Sequence, residues 1–367
     1  MSNTTAFSRI PNEVFHHILK HQSANADLCS ASLTCRALRD EAQRILFHNP
    51  VPLTAYRHLI FIDVILSSPD RLGPMVRTFV HVSGSAYCEG KDEVLTEKTR
   101  KLLRAMCNLK RLAFQNAKKL PASVLLGTTF QLDAFDWGSA HDATVVFNGF
   151  LPTQTSLKHL TFHCEEELAT LENMQLATTL CPELQSLTGG RKAIKLFLKR
   201  KNKVTHLHFL PDSIQESAWF PAPELQVEFG RLQFLKFRSW DEQFTQLPRL
   251  LHSLVLLELT KSHSGSDNLK LQAMLPNMTS LRVLILVDFV TQTQMPRNSN
   301  YPGDIARDML GWCPHLEFID ISINATRGAQ HFRRFYQEDA GDAEMTGAII
   351  DSDTVFAWRR KSEINGA

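Results

Sequence analysis

The chain lacks the short motifs that announce most enzymes. Its 367 residues contain no Gly-x-x-x-x-Gly-Lys loop to cradle phosphates, no His-Glu-x-x-His helix and no Gly-x-Ser-x-Gly nucleophile turn. We therefore expect neither a catalytic centre nor a cofactor. No apolar run approaches the ~20 residues needed to cross a bilayer, so no membrane association is expected. Met1 to Ser8 show no basic segment followed by an apolar one, which argues against a secretory signal. The cysteines (29, 35, 88, 107, 164, 181 and 313) are odd in number and scattered, with no Cys-x-x-Cys. That pattern reads as reduced thiols in a cytoplasmic or nuclear protein, not a disulfide frame or zinc site. A formal net charge of +2 leaves no excess of one sign, so nucleic-acid binding through global charge is not expected. What remains is ordinary globular composition, 43% hydrophobic and 21% charged, in a length that allows one large domain or two smaller ones.

The first informative stretch runs from Ile10 to Phe47. Val14, Ile18 and Leu19 recur at helical offsets, and Pro11 suits a first helical turn, where its missing N–H is not needed. Asp27 is placed to cap a second helix, and Cys35 to Phe47, with Leu38, Ala42, Ile45 and Leu46, predicts a third. Three short helices can hardly enclose a core alone, so a partner or the rest of the chain should complete the apolar surface.

This stretch resembles an F-box, on Ile10-Pro11, Glu13-Val14, Ile18-Leu19, Asp27-Leu28, Leu33 and Cys35-Arg36. It departs from the family pattern at Gln22, where an apolar residue is usual, and at Leu38, where an aromatic is common. The resemblance implies an adaptor that holds a Skp1-like linker, and through it a cullin, in a ubiquitin ligase while presenting a protein substrate. It also implies that Ile10, Pro11, Val14, Ile18, Leu19, Leu28, Leu33 and Cys35 form or position the Skp1-facing surface.

The second informative feature is repetition. The phrase apolar-x-x-apolar-x-apolar occurs at Leu109/Leu112/Phe114, Leu132/Phe135/Trp137, Leu157/Leu160/Phe162, Val204/Leu207/Phe209, Leu232/Leu235/Phe237, Leu254/Leu257/Leu259, Leu281/Leu284/Leu286 and Leu316/Ile319/Ile321. Weaker copies begin at Val76 and Leu184. Starts lie roughly 20 to 35 residues apart, near the period of leucine-rich repeats. Helix-like stretches lie between, at 93–106, 168–180, 194–199 and 305–311. The predicted fold class is α/β: a three-helix head over 1–50, a connecting helix over 51–70 and a solenoid with a curved parallel sheet over 71–327. An acidic loop and an apolar segment follow over 328–367. The alternative, a doubly wound α/β fold, lacks support because no glycine-rich phosphate loop is present. A short head, one helix and divergent leucine-rich repeats resemble many fungal F-box proteins. A repeat scaffold that recruits no ligase is the competing functional reading.

In such a solenoid, residues between the patterned positions face the concave sheet. His159, His163, His206, His208, Lys236 and Arg238 make a polar half suited to an acidic or phosphorylated protein segment. Leu256, Val283, Ile285, Val287 and Phe318 make an apolar half, to be met by substrate or covered by Ile349, Ile350, Val355, Phe356 and Trp358 of the tail. The two histidine pairs belong to strands two apart, roughly 10 Å, too wide for one zinc sphere. Gly189-Gly190-Arg191-Lys192 reads as a turn before a basic helix. The run 199–203 reads as a solvated face that could alternatively serve as a nuclear import signal.

Overall fold

A computed structural model describes residues 11–22, 24–50, 55–82, 92–115, 120–138, 142–163, 180–199, 202–210, 225–237, 248–260, 267–290, 301–323, 331–338, 347–352 and 354–355. The chain divides into two compact units, Met1–Cys181 and Pro182–Ala367.

The first unit opens with three helices: α1 (Asn12–Lys20), α2 (Asn25–Ser32) and α3 (Arg36–His48). Pro11 precedes α1 with φ −58°, the angle its ring imposes. Helix α2 starts two residues before Asp27: extended Ala24 is its N-cap, and Asp27 lies in the first turn, where a negative charge meets the positive helix end. Contrary to the expectation from size, the three helices do enclose a small core. Leu19, Leu28 and Ala42 are buried together, with Ala31, Leu38, Ile45 and Leu46 packed around them.

Helix α4 (Ala55–Ser67) and the short α5 (Pro69–Leu72) lead into the sheet. Helix α4 buries His58, Phe61, Ile62 and Ile65. The rings of His58 and Phe61 stack on Phe79 of the first strand, with centroids 5.4 and 6.0 Å away. Strand β1 (Thr78–Val82) is followed by α6 (Asp92–Ala105), β2 (Arg111–Gln115), β3 (Ala134–Trp137) and β4 (His159–Phe162). They pair in parallel and in sequence order, Phe79 beside Leu112, Leu112 beside Phe135, and Phe135 beside Leu160. Each link is too long for a hairpin and crosses over to start the next parallel strand. Phe114, Trp137, Phe135, Phe150, Phe147 and Phe162 fill the interior. Within it the Phe114–Trp137 and Phe147–Phe162 rings meet edge to face at 5.1 and 5.0 Å.

Two close fits fix this unit. A Cβ on Gly73 would lie 2.4 Å from the Ala105 carbonyl oxygen, so only glycine lets the turn after α5 reach the end of α6. The buried Gln154 side chain accepts from the Leu132 N–H at 2.9 Å and donates to the Phe130 carbonyl at 3.3 Å. A polar side chain thus satisfies the turn of the neighbouring repeat.

The second unit continues the same scheme. Strands β5 (Ser186–Gly189), β6 (His206–Phe209), β7 (Phe234–Phe237), β8 (Leu256–Thr260), β9 (Val283–Val290) and β10 (Phe318–Ile323) are parallel and in sequence order. Gly190 caps the helix Arg191–Leu198 after β5, as the turn pattern predicted. The sheet does not stop near residue 327. Strand β11 (His331–Tyr336) joins β10 antiparallel, and β12 (Ala348–Asp351) joins β11 antiparallel. Among the described residues no helix is long and apolar enough to cross a membrane.

Candidate functional site

Two surfaces of this fold bring together the residues singled out in the sequence. The first is the head. Phe15 and Leu19 turn inward from α1, leaving Val14 44% and Ile18 53% exposed. Leu33, in the turn after α2, is 87% exposed, and Pro11 and Cys35 also face solvent. Leu19 (5%) and Leu28 (3%) belong to the core instead and support this surface from behind. Ile10 lies outside the described residues. The head therefore combines a closed interior with large apolar side chains left in water, an arrangement that costs solubility unless something covers them.

The second surface is the sheet face opposite the patterned leucines. In the first unit it carries His159, half-buried, and His163, exposed, whose Nε2 is 3.5 Å from the Asp136 carboxylate. In the second unit, His208 is half-buried, whereas His206 is buried with its ring stacked 5.7 Å from Phe234. The expectation of an exposed His206 is thus corrected: β7 places an aromatic side chain beside it. Lys236 is partly buried and sits 3.1 Å from the buried Glu258 carboxylate, so its charge is already engaged. Arg238 lies outside the described residues. Among the described residues no group of three or more histidine, cysteine or carboxylate side chains is arranged to hold a metal.

The apolar half does not face water. Leu256, Val283, Ile285 and Phe318 are buried in one cluster with Phe234, Phe332 and Val355, and Val287 and Ile350 pack against it. The expectation of a solvent-facing patch is corrected, and the physical reason is the tail. Phe332 of β11, Ile350 of β12 and Val355 bring the chain's own side chains onto this face. Ile349 does not contribute, being 70% exposed, and Phe356 and Trp358 lie outside the described residues.

The cover is held by charge as well as packing. Asp320, fully buried, stands opposite Arg334 across the β10–β11 ladder. The guanidinium donates Nε–H and Nη2–H to its two carboxylate oxygens, both at 2.7 Å. It also lies 3.9 Å above the Phe318 ring. A bidentate, partly buried pair of this kind fixes strand register. The apolar-x-x-apolar pattern could not reveal it, because Arg334 belongs to a strand outside the repeat.

The comparisons with known proteins agree with the head and bear only weakly on the rest. Residues 7–51 match the F-box-like family. No curated protein sequence matches the chain. Among solved structures, the leucine-rich repeat-containing protein LegL7 from Legionella pneumophila is similar at 9% identity, over 75% of this chain and 89% of that one, with a TM-score of 0.38. The repeat reading accordingly rests on the strand order and register described above.

Proposed function

We propose that the chain is a substrate-recognition adaptor of a Skp1–cullin–F-box ubiquitin ligase. The head docks a Skp1-like linker through Pro11, Val14, Ile18, Leu33 and Cys35. The strand–helix repeats carry a protein substrate, and the ubiquitin chemistry belongs to the partners. One observation carries this reading: within the F-box-like match, large apolar side chains stay outside although the head's own core is complete. A stable protein contact buries roughly 1,200 Å² or more, with a few apolar anchors supplying most of its affinity. The exposed His163 and the half-buried His159 of the first unit, and separately the half-buried His208 of the second, offer polar positions to a substrate, because the tail already occupies the apolar part.

The test is co-expression of the full chain with a Skp1-like protein and purification through a tag on the chain. A stoichiometric complex that persists through gel filtration is expected. A folded chain that elutes alone would leave a repeat scaffold without ligase recruitment.

A further inference from the structure

Where the head meets the first strands, the first unit holds a cleft of about 730 Å³. Its wall is strongly basic: His16 and Lys20 from α1, Arg44 and His48 from α3, Arg71 from α5, and Arg77 just before β1. No acidic side chain lines it. Two carboxylates contact side chains of the wall. Glu41, buried, pairs with His16 and lies 3.4 Å from the Arg44 guanidinium. Asp40 is 4.0 Å from Arg71. Among the described residues Lys20, His48 and Arg77 have no carboxylate partner.

The walls are tied to each other. The Arg77 N–H donates to the His48 carbonyl at 3.0 Å, and Asn108 Nδ2–H donates to the Pro74 carbonyl at 2.9 Å. Arg77 Nη1–H donates to the Asn108 carbonyl at 3.0 Å. These bonds fix Arg77 between the end of α3 and Asn108. The cost is visible at His48, whose pKa is pushed below the usual histidine value by burial first, then by Arg77 and His16. Six basic side chains against two neighbouring carboxylates leave the cleft with excess positive charge, which favours an anion there.

We infer that this cleft binds a compact anion carrying clustered phosphate groups. Arginine forks match phosphate oxygens bidentately, and Arg44, Arg71 and Arg77 reach the cleft from three different elements. Its volume lies within the roughly 300–1,000 Å³ typical of small-molecule sites. A ligand there bridges α1 and α3 to α5 and the first strand, and so stiffens the joint between head and repeats. The site is independent of the proposed linker contact. At 3.6 residues per turn, His16 and Lys20 stand roughly 120–160° round α1 from Val14 and Ile18.

The test is calorimetric titration of the full chain with tripolyphosphate at low salt, beside pelleting with phosphatidylcholine vesicles with and without phosphatidylinositol bisphosphate. Saturable 1:1 binding is expected, weakened by roughly tenfold or more in Lys20→Glu/Arg77→Glu, as the loss of charge-assisted contacts implies. Tripolyphosphate should raise the melting temperature of the parent chain and not of the variant. Lys20→Glu alone, on an exposed side chain, serves if the double variant unfolds. Vesicle binding that depends on the same two residues assigns the phosphates to a lipid headgroup. Vesicle-independent binding assigns them to a soluble molecule. Absence of saturable binding in both formats, or affinity unchanged by either variant, overturns the inference. Co-purification of a Skp1-like protein should survive both variants, so the two proposals fail separately.

Discussion

Two apolar surfaces of this molecule look alike as sequence and have opposite fates. Val14, Ile18 and Leu33 stay in water beside a head whose core is already closed. Leu256, Val283, Ile285 and Phe318 lie on the sheet face opposite the patterned leucines, yet Phe332, Ile350 and Val355 bury them. The comparison teaches where to look for partners. An apolar stripe that the chain covers by itself contributes to folding, whereas one left bare beside a finished core is the place to test for a partner.

The largest effect should come from unlocking the cover. Arg334→Met leaves Asp320 buried without its counter-charge, which costs about 3–5 kcal/mol. Urea unfolding should show this loss, and a change under 1 kcal/mol would mean the pair does not hold β11 in place. Next comes the contrast within the head. Leu28→Ala should destabilise by about 2–4 kcal/mol, because it opens a cavity among packed side chains. Ile18→Ala should stay within roughly 0.5 kcal/mol, as exposed substitutions do. Equal effects would dissolve the distinction between the two kinds of surface.

Truncation after Tyr336 keeps β11 but removes Ile350 and Val355. About 2 kcal/mol should be lost with the burial of Val355, and a hydrophobic dye should bind the uncovered Leu256–Phe318 face. A truncated chain that binds no extra dye would show that these residues do not form the cover.

The smallest effect is a pH dependence. His58 and His81 are buried 3.0 Å apart between α4 and β1. Burial lowers the pKa of His58 to about 4; burial and then His58 lower that of His81 to about 3. Both stay neutral in the folded chain where the unfolded chain, titrating near 6.5, already binds protons. Their contribution is full above about pH 6.5 and is lost progressively as pH falls toward the folded values. Together they should cost about 1.5 kcal/mol at pH 6 relative to pH 8. Replacing both by leucine should flatten that part of a melting-temperature profile.

The sequence was most readable where one physical rule acted alone. Eight of the ten strands from β1 to β10 sit on an apolar-x-x-apolar-x-apolar phrase, and β1 and β5 on weaker copies that end in His81 and Gly189, because packing against the helices demands those positions repeat. Helices α1 and α3 followed from periodicity, with Pro11 marking the start of α1. The same pattern could not show that Phe332 and Val355 cover the sheet, since β11 and β12 obey no repeat and find their places through long-range contacts. His206 was misplaced for a related reason. Its neighbour across the sheet, Phe234, is distant in sequence, and only register brings the rings together. The basic cleft was likewise unreadable, because Lys20, Arg44, Arg71 and Arg77 converge only through tertiary structure.

The central claim is that the bare stripe of the head is a docking surface. Leu19 is unsuitable for testing it, because a charge there would disrupt the head's core. Val14→Asp/Ile18→Asp changes only exposed side chains. The dissociation constant for a Skp1-like protein, measured on a variant whose melting temperature matches the parent's, should rise by roughly a hundredfold or more if these are anchors. An unchanged dissociation constant in the folded variant would contradict the account.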